Sequence, residues 1–229
     1  MVKFRHVNCI FTNLIFAATW LLFGGQALAE LPALPLEDHA DWQAVGRVNQ
    51  GGFNRRASCS GTLIEPDLVL TAAHCVMKGD GSVPLDRLHF VAGWLGGEYA
   101  DHAKAARVRV HPGYAFTPGP DDIALMWLER PLTVAPLPVA SPVWAQAAML
   151  GYQDTRPHRL GARFDCDRLS RAQLWLGCPA RSGNSGGPIL QQIDGEWQVV
   201  GVVNGTNGRA SIGAPVTIWV LVQMETGLE

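Results

Sequence analysis

The chain has 229 residues, with 18 Lys and Arg against 20 Asp and Glu and a formal net charge of −2. That length builds one large domain or two small ones, and so balanced a charge gives no footing for a nucleic-acid or anionic-membrane partner. The 25 glycines and 15 prolines, with few helix-period runs, suit short strands and turns.

Residues 1–29 read as a secretory signal peptide. Lys3, Arg5 and His6 form a positive n-region, Ile10 to Phe23 an apolar h-region, and Ala27-Leu28-Ala29 a small-x-small cleavage site before Glu30. Thr12, Asn13 and Thr19 interrupt the apolar run, which is short for a membrane span. The expectation is export to the periplasm or the exterior, with no stable membrane insertion after cleavage. Residues 30–41 are acidic, unpatterned and proline-bearing, and read as an N-terminal arm or short pro-segment.

Alternating and apolar runs then predict strands at Ala44 to Val48, Ser58 to Ile64, Leu68 to Ala72, Arg87 to Ala92, Ala106 to Val110 and Ile123 to Leu128, with a turn at Gly51-Gly52. The proline-rich stretch Leu132 to Pro142 reads as a connection. It divides a first unit, 42–131, from a second, 132–229. Further strands are predicted at Trp144 to Leu150, Gly161 to Cys166, Leu174 to Cys178, Ile189 to Ile193, Trp197 to Val203 and Pro215 to Trp219. Asp194-Gly195 is a strong two-residue hairpin signal. Val220 to Thr226 reads as a short C-terminal helix. The fold class is all-β: two packed six-stranded antiparallel β-barrels, with the site in the cleft between them. Trp127, Trp175, Trp197 and Trp219 are expected in the core, and His39, His89, His102, His111 and His158 on the surface.

Three motifs carry chemistry. Gly183-Asn184-Ser185-Gly186-Gly187-Pro188 offers a serine nucleophile among glycines, so that the N–H groups of Gly183 and Ser185 can converge as an oxyanion hole. Thr71-Ala72-Ala73-His74-Cys75 places a histidine, the natural base near neutral pH, after an apolar run. Asp121-Asp122-Ile123-Ala124-Leu125 places a carboxylate before another. The order along the chain is His74, Asp122, Ser185, which is that of chymotrypsin.

On these motifs the chain resembles the trypsin/chymotrypsin-like serine proteases from about Gln43 to its C-terminus, including bacterial glutamyl-endopeptidase-like branches with Gly-Asn-Ser-Gly. The resemblance implies a catalytic triad of Ser185, His74 and Asp122, with Gly183 and Ser185 as oxyanion donors. It selects Asp122 over Asp121, because the family's aspartate directly precedes the Ile-Ala-Leu run. Once Cys9 leaves with the signal, four cysteines allow three connectivities. Cys59 with Cys75 and Cys166 with Cys178 are the expected local pairs; the first matches the disulfide beside the histidine in the family. No metal and no cofactor are expected, since no C-x-x-C or H-x-x-x-H spacing is present.

Two departures stand out. Much of the family has an aspartate where this chain has Asn184, and an Ile-Val-Gly-Gly start is missing near Gln43. Activation by insertion of a new N-terminal amine is therefore not expected, and the arm 30–41 is expected to be dispensable for ordering the site. For substrate binding, Val203, Asn204 and Gly205 match the family strand that pairs with substrate backbone. The stretch Cys178 to Ser182, with Arg181 as its cation, is expected to wall the primary pocket. It holds no acidic residue, so a choice of Lys or Arg is unsupported; Val203 stands where glutamyl endopeptidases carry a histidine. The resulting expectation is a monomeric secreted serine endopeptidase acting on polypeptides through an acyl-enzyme. A non-catalytic binding module on the same fold and an esterase-like hydrolase are the alternatives.

Overall fold

The computed structural model describes residues 30–51 and 59–227. The signal-peptide reading, Gly52 of the first turn and Ser58 of the second predicted strand lie outside the described residues.

Six strands close the first barrel: β1 (Val45–Gln50), β2 (Cys59–Glu65), β3 (Leu68–Thr71), β4 (Leu88–Ala92), β5 (Asp101–Val110) and β6 (Ala124–Leu128), in the order β1-β2-β3-β6-β5-β4. All pairs are antiparallel. Every residue of β3, β4 and β6 is buried, because both faces of these strands are covered. A single helical turn, α1 (Ala73–Val76), follows β3 directly.

The second set is β7 (Ala147–Gln153), β8 (Arg156–Cys166), β9 (Leu174–Leu176), β10 (Pro188–Ile193), β11 (Glu196–Thr206) and β12 (Ser211–Pro215), in the order β8-β7-β10-β11-β12-β9. The stretch after β8 returns to β9. Leu169 N–H donates to Trp175 O and Gly177 N–H to Asp167 O, each at 2.9 Å, so the sheet curls round on itself. Asp194 and Gly195 both take positive φ, 53° and 86°, as a two-residue turn between β10 and β11 requires. The main core runs through both sets, from Phe90 and Leu125 to Leu150 and Val202.

Some sequence expectations move. The last strand is Ser211–Pro215, not Pro215 to Trp219, and α2 (Ile218–Thr226) begins earlier than expected. β12 is fixed by its ladder with β11, Val203 facing Gly213 and Thr206 facing Ser211, and not by any apolar alternation of its own. His39 and His89 are buried, against expectation. Of the four tryptophans expected in the core, Trp127 is buried and Trp175, Trp197 and Trp219 are half-buried.

The two ends of the described chain lie on opposite barrels. The arm runs along β8: Leu34 N–H donates to Leu160 O and Ala162 N–H to Pro32 O, both at 2.9 Å, with Leu31 and Leu34 each 1% exposed. Helix α2 leans on the first barrel. Arg109 donates to Gln223, Arg107 donates to Gly227 O, and both guanidiniums stack on Trp127 of β6.

Candidate active site

His74 sits on the helical turn that ends β3, where the apolar residues of β3 are locked into the barrel. The disulfide Cys59–Cys75 ties that turn to β2 across a separation of 16 residues. Asp122 precedes β6, the neighbour of β3 in the barrel, which brings the two side chains together. Asp122 is 1% exposed and holds His74 through both oxygens: backbone N–H to Oδ1 at 3.0 Å, and Nδ1 to Oδ2 at 2.7 Å. Asp121 faces away. Its Oδ1 lies 3.3 Å from His111 Nδ1, and its side chain is 45% exposed. Tyr114 lies near the buried carboxylate; burial, and then the Asp122 charge, push its phenol above the ordinary range.

Ser185 lies on the loop between β9 and β10, which packs against the segment leading into His74. Gly183 and Gly186 have φ of 94° and 78°, in the region where side chains are strained. A Cβ at Gly186 would stand 2.1 Å from Thr71 Oγ1 and 3.0 Å from Ala72 N, so only glycine lets the loop press against the segment that leads into His74. The second disulfide, Cys166–Cys178, anchors the approach to the loop.

Within the loop the backbone donors divide. Asn184 N–H donates to Arg181 O, Gly186 N–H to Val203 O and Gly187 N–H to Asn184 O. Among the described residues, the N–H groups of Gly183 and Ser185 donate to none. Nor does a hydrogen bond join the Ser185 hydroxyl to His74 among them; such bonds are commonly loose before substrate binds. Both Ser185 and His74 keep contact with solvent, whereas Asp122 does not.

Ser60 of β2 is a structural participant that the sequence did not flag. Its N–H donates to Ser185 O at 2.7 Å, its Oγ donates to Gly183 O at 2.8 Å, and its Oγ accepts from Tyr152 N–H at 2.9 Å. Thr71 Oγ1 in turn donates to Ser60 O at 2.8 Å. One buried serine thus ties the loop from the second sheet to the first barrel. Only a tertiary structure reveals it, because Ser60 lies in an ordinary strand pattern.

Asn184 is fully buried. Its Oδ1 accepts from Arg181 N–H at 2.8 Å and its Nδ2 donates to Tyr152 O at 3.0 Å. The Arg181 side chain turns to Glu30, at 3.2 Å, and to Asp154, at 3.7 Å. Its charge is thereby matched within the protein. Val203 and Asn204 are buried; Asn204 Nδ2 donates to Gly119 O at 2.6 Å. Pairing with β10 reaches Val202, so beyond Val203 strand β11 is laddered to β12 alone, and among the described residues one edge of residues 204–206 has no partner strand. Cys59, Cys75 and His74 cluster within 4.8 Å, but both sulfurs belong to a disulfide and are not available as metal ligands.

The chain is 29% identical over 225 residues to a trypsin-like protease of Streptomyces glaucescens, covering 82% of each. It is also 29% identical over 223 residues to the vitamin K-dependent protein C of mouse and of rat, covering 76% of this chain and 45% of each of those proteins. The trypsin family model matches residues 35–223, and the chain belongs to that family of trypsin-like serine proteases.

Proposed function

We propose that this chain is an exported serine endopeptidase that cleaves polypeptides through an acyl-enzyme, with Ser185, His74 and Asp122 as its catalytic residues. The observation that carries the reading is the double grip of Asp122 on His74. A carboxylate accepting from Nδ1–H leaves the lone pair on Nε2, the atom that must take a proton from serine. Asp122 also offsets the positive charge that the imidazole then acquires, and its burial keeps that interaction from being screened by water.

The steps follow. Substrate backbone lies along the unpartnered edge of residues 204–206. Ser185 Oγ attacks the scissile carbonyl carbon while His74 takes the hydroxyl proton. The two unengaged N–H groups of Gly183 and Ser185 receive the oxyanion; such donors are worth about 3–4 kcal/mol each where measured. The imidazolium returns its proton to the leaving amine. Water, activated by the same histidine, then releases the acyl group. No cofactor is required. The two disulfides suit an oxidising compartment, in keeping with the signal peptide read at residues 1–29, and the working state is taken as a monomer.

The test is covalent labelling. A fluorophosphonate should modify the wild-type chain at Ser185, located by peptide mass mapping, and denatured casein should be cleaved by the same preparation. A folded chain that resists labelling and leaves casein intact would make the protein a binding module on a protease fold.

A further inference from the structure

A cavity beside residues 204–206 has no assigned ligand. It holds about 320 Å³ and is bounded by Pro118–Pro120, Leu174, Trp175 and Ile212, with Arg168 and Arg171 at its rim. It touches the substrate edge. Pro118 packs on Gly205 so closely that a Cβ there would lie 2.9 Å away, and Ile212 is the ladder partner of Gly205. Gly119, also in its wall, accepts from Asn204.

The two arginines are arranged without a counter-charge. Arg171 lies 4.3 Å over the Trp144 ring and Arg168 lies 5.6 Å from the same ring. Arg168 spends its terminal nitrogens on the carbonyls of Val143, Ser170 and Gln173, while its Nε is buried with no partner among the described residues. Arg171 makes no hydrogen bond or ion pair among the described residues, and no carboxylate lines the cavity. Two like charges that share one indole repel, and an anion placed between them and the apolar wall would be attracted to both.

We propose that this cavity is a specificity site for an acidic side chain of the polypeptide substrate, Glu or Asp, with Arg171 as the binding cation and Arg168 as its support. The proposal rests on the protease reading only for the nature of the occupant. An extended chain on the edge at residues 204–206 presents alternate side chains to one face, so one of them is offered to the cavity. Its apolar floor suits the methylenes of Glu, and the guanidinium fork of Arg171 suits the carboxylate.

The test uses the full chain carrying Ser185→Ala and fluorescently labelled alanine-based octapeptides. Each peptide has a single Glu at a different position and is paired with a Gln twin. Anisotropy should show the Glu form binding about fivefold tighter than its twin at one position, since a charge-assisted pair is worth roughly 1 kcal/mol in partial solvent exposure. The gap should close in Ser185→Ala/Arg171→Gln, reverse in Ser185→Ala/Arg171→Glu, and shrink in about 0.5 M salt. Arg171 is exposed and unbonded, so its variants test the site even if Arg168→Gln unfolds the loop it supports. Equal binding of Glu and Gln peptides at every position, absence of peptide binding, or a gap that survives Arg171→Gln would overturn the proposal. Failure of the protease reading shows separately, as absence of phosphonate labelling in the wild-type chain.

Discussion

Replacing Ser60 with Ala removes one oxygen and leaves everything else in place, because the Cβ is already there. That oxygen donates to Gly183 O at 2.8 Å and accepts from Tyr152 N–H at 2.9 Å, both bonds in buried surroundings. Ser60→Ala therefore orphans one backbone acceptor and one backbone donor at once. Each unsatisfied buried group costs about 1–3 kcal/mol, so the expected loss of stability from the two is about 2–6 kcal/mol. For a chain of this size that lowers Tm by about 4–24 °C, at about 2–4 °C per kcal/mol. The site should feel it as well. Gly183 is one of the two proposed oxyanion donors, and its carbonyl would lose the bond that sets the orientation of its loop. Phosphonate labelling, followed well below the lowered Tm, should slow by about tenfold, equivalent to about 1.4 kcal/mol on the barrier. Calorimetry and a labelling time course check both parts. A Tm within about 2 °C of wild type together with unchanged labelling would refute the view that Ser60 couples the barrel to the loop.

Asp122→Asn should lower kcat by about 10⁴ by favouring the wrong histidine tautomer, while Asp121→Asn, paired only with half-exposed His111, should change it little; steady-state kinetics on a peptide ester decides the ranking. Asp101 accepts from Arg130 at 2.5 Å, from Thr133 and from His102 N–H, and Arg130 foremost holds its carboxyl well below the usual range. A depressed folded pKa stabilises above the unfolded value of about 4 and loses that stabilisation as pH falls further, so the Tm deficit of Asp101→Asn should be full at neutral pH and fade in acid. Truncation to Trp42 removes Leu31 and Leu34, each buried and each worth about 1.5–3 kcal/mol, so urea unfolding should show a loss of several kcal/mol.

Much of this was legible from local sequence. The turn at Asp194-Gly195 announced itself because positive φ at two successive residues is a chemical demand that few residue pairs meet. The meeting of His74 with Asp122 was legible because each stands at the edge of an apolar run that had to enter a core. What stayed hidden was set by partners distant in sequence. β12 carries one large apolar residue, Ile212, and takes its strand form from β11. His39 lies in a polar stretch and His89 within the apolar strand β4, and both are buried. The ion pairs of Arg181 were hidden because its partners, Glu30 and Asp154, lie 151 and 27 positions away in the chain. The role of Ser60 depends on a loop about 120 residues downstream. The packing of the arm was hidden for the same reason: Leu31 and Leu34 are buried beside β8, some 125 residues downstream.

The arrangement around Asn184 shows how such a loop can be ordered without burying a charge. The buried site offers one donor, Arg181 N–H, and one acceptor, Tyr152 O, and a primary amide answers both. A carboxylate there would keep the first bond and turn the second into a repulsion. It would also stand buried with no cation in contact, a loss of several kcal/mol. The charges have been moved outward instead. Arg181, one turn before the buried amide, meets Glu30 and Asp154 where water still reaches all three side chains. Desolvation is small at that depth, and so is the net worth of the pair. Its value lies in position: Glu30 belongs to the arm, the arm is laddered to β8, and β8 flanks the strand that supplies Tyr152 O. The arm, the amide and the loop with the unengaged N–H groups thus share one network. Its members are neutral where buried and charged only where wet, so the loop holds its shape without the buried ion pair that a new N-terminal amine would otherwise have to complete.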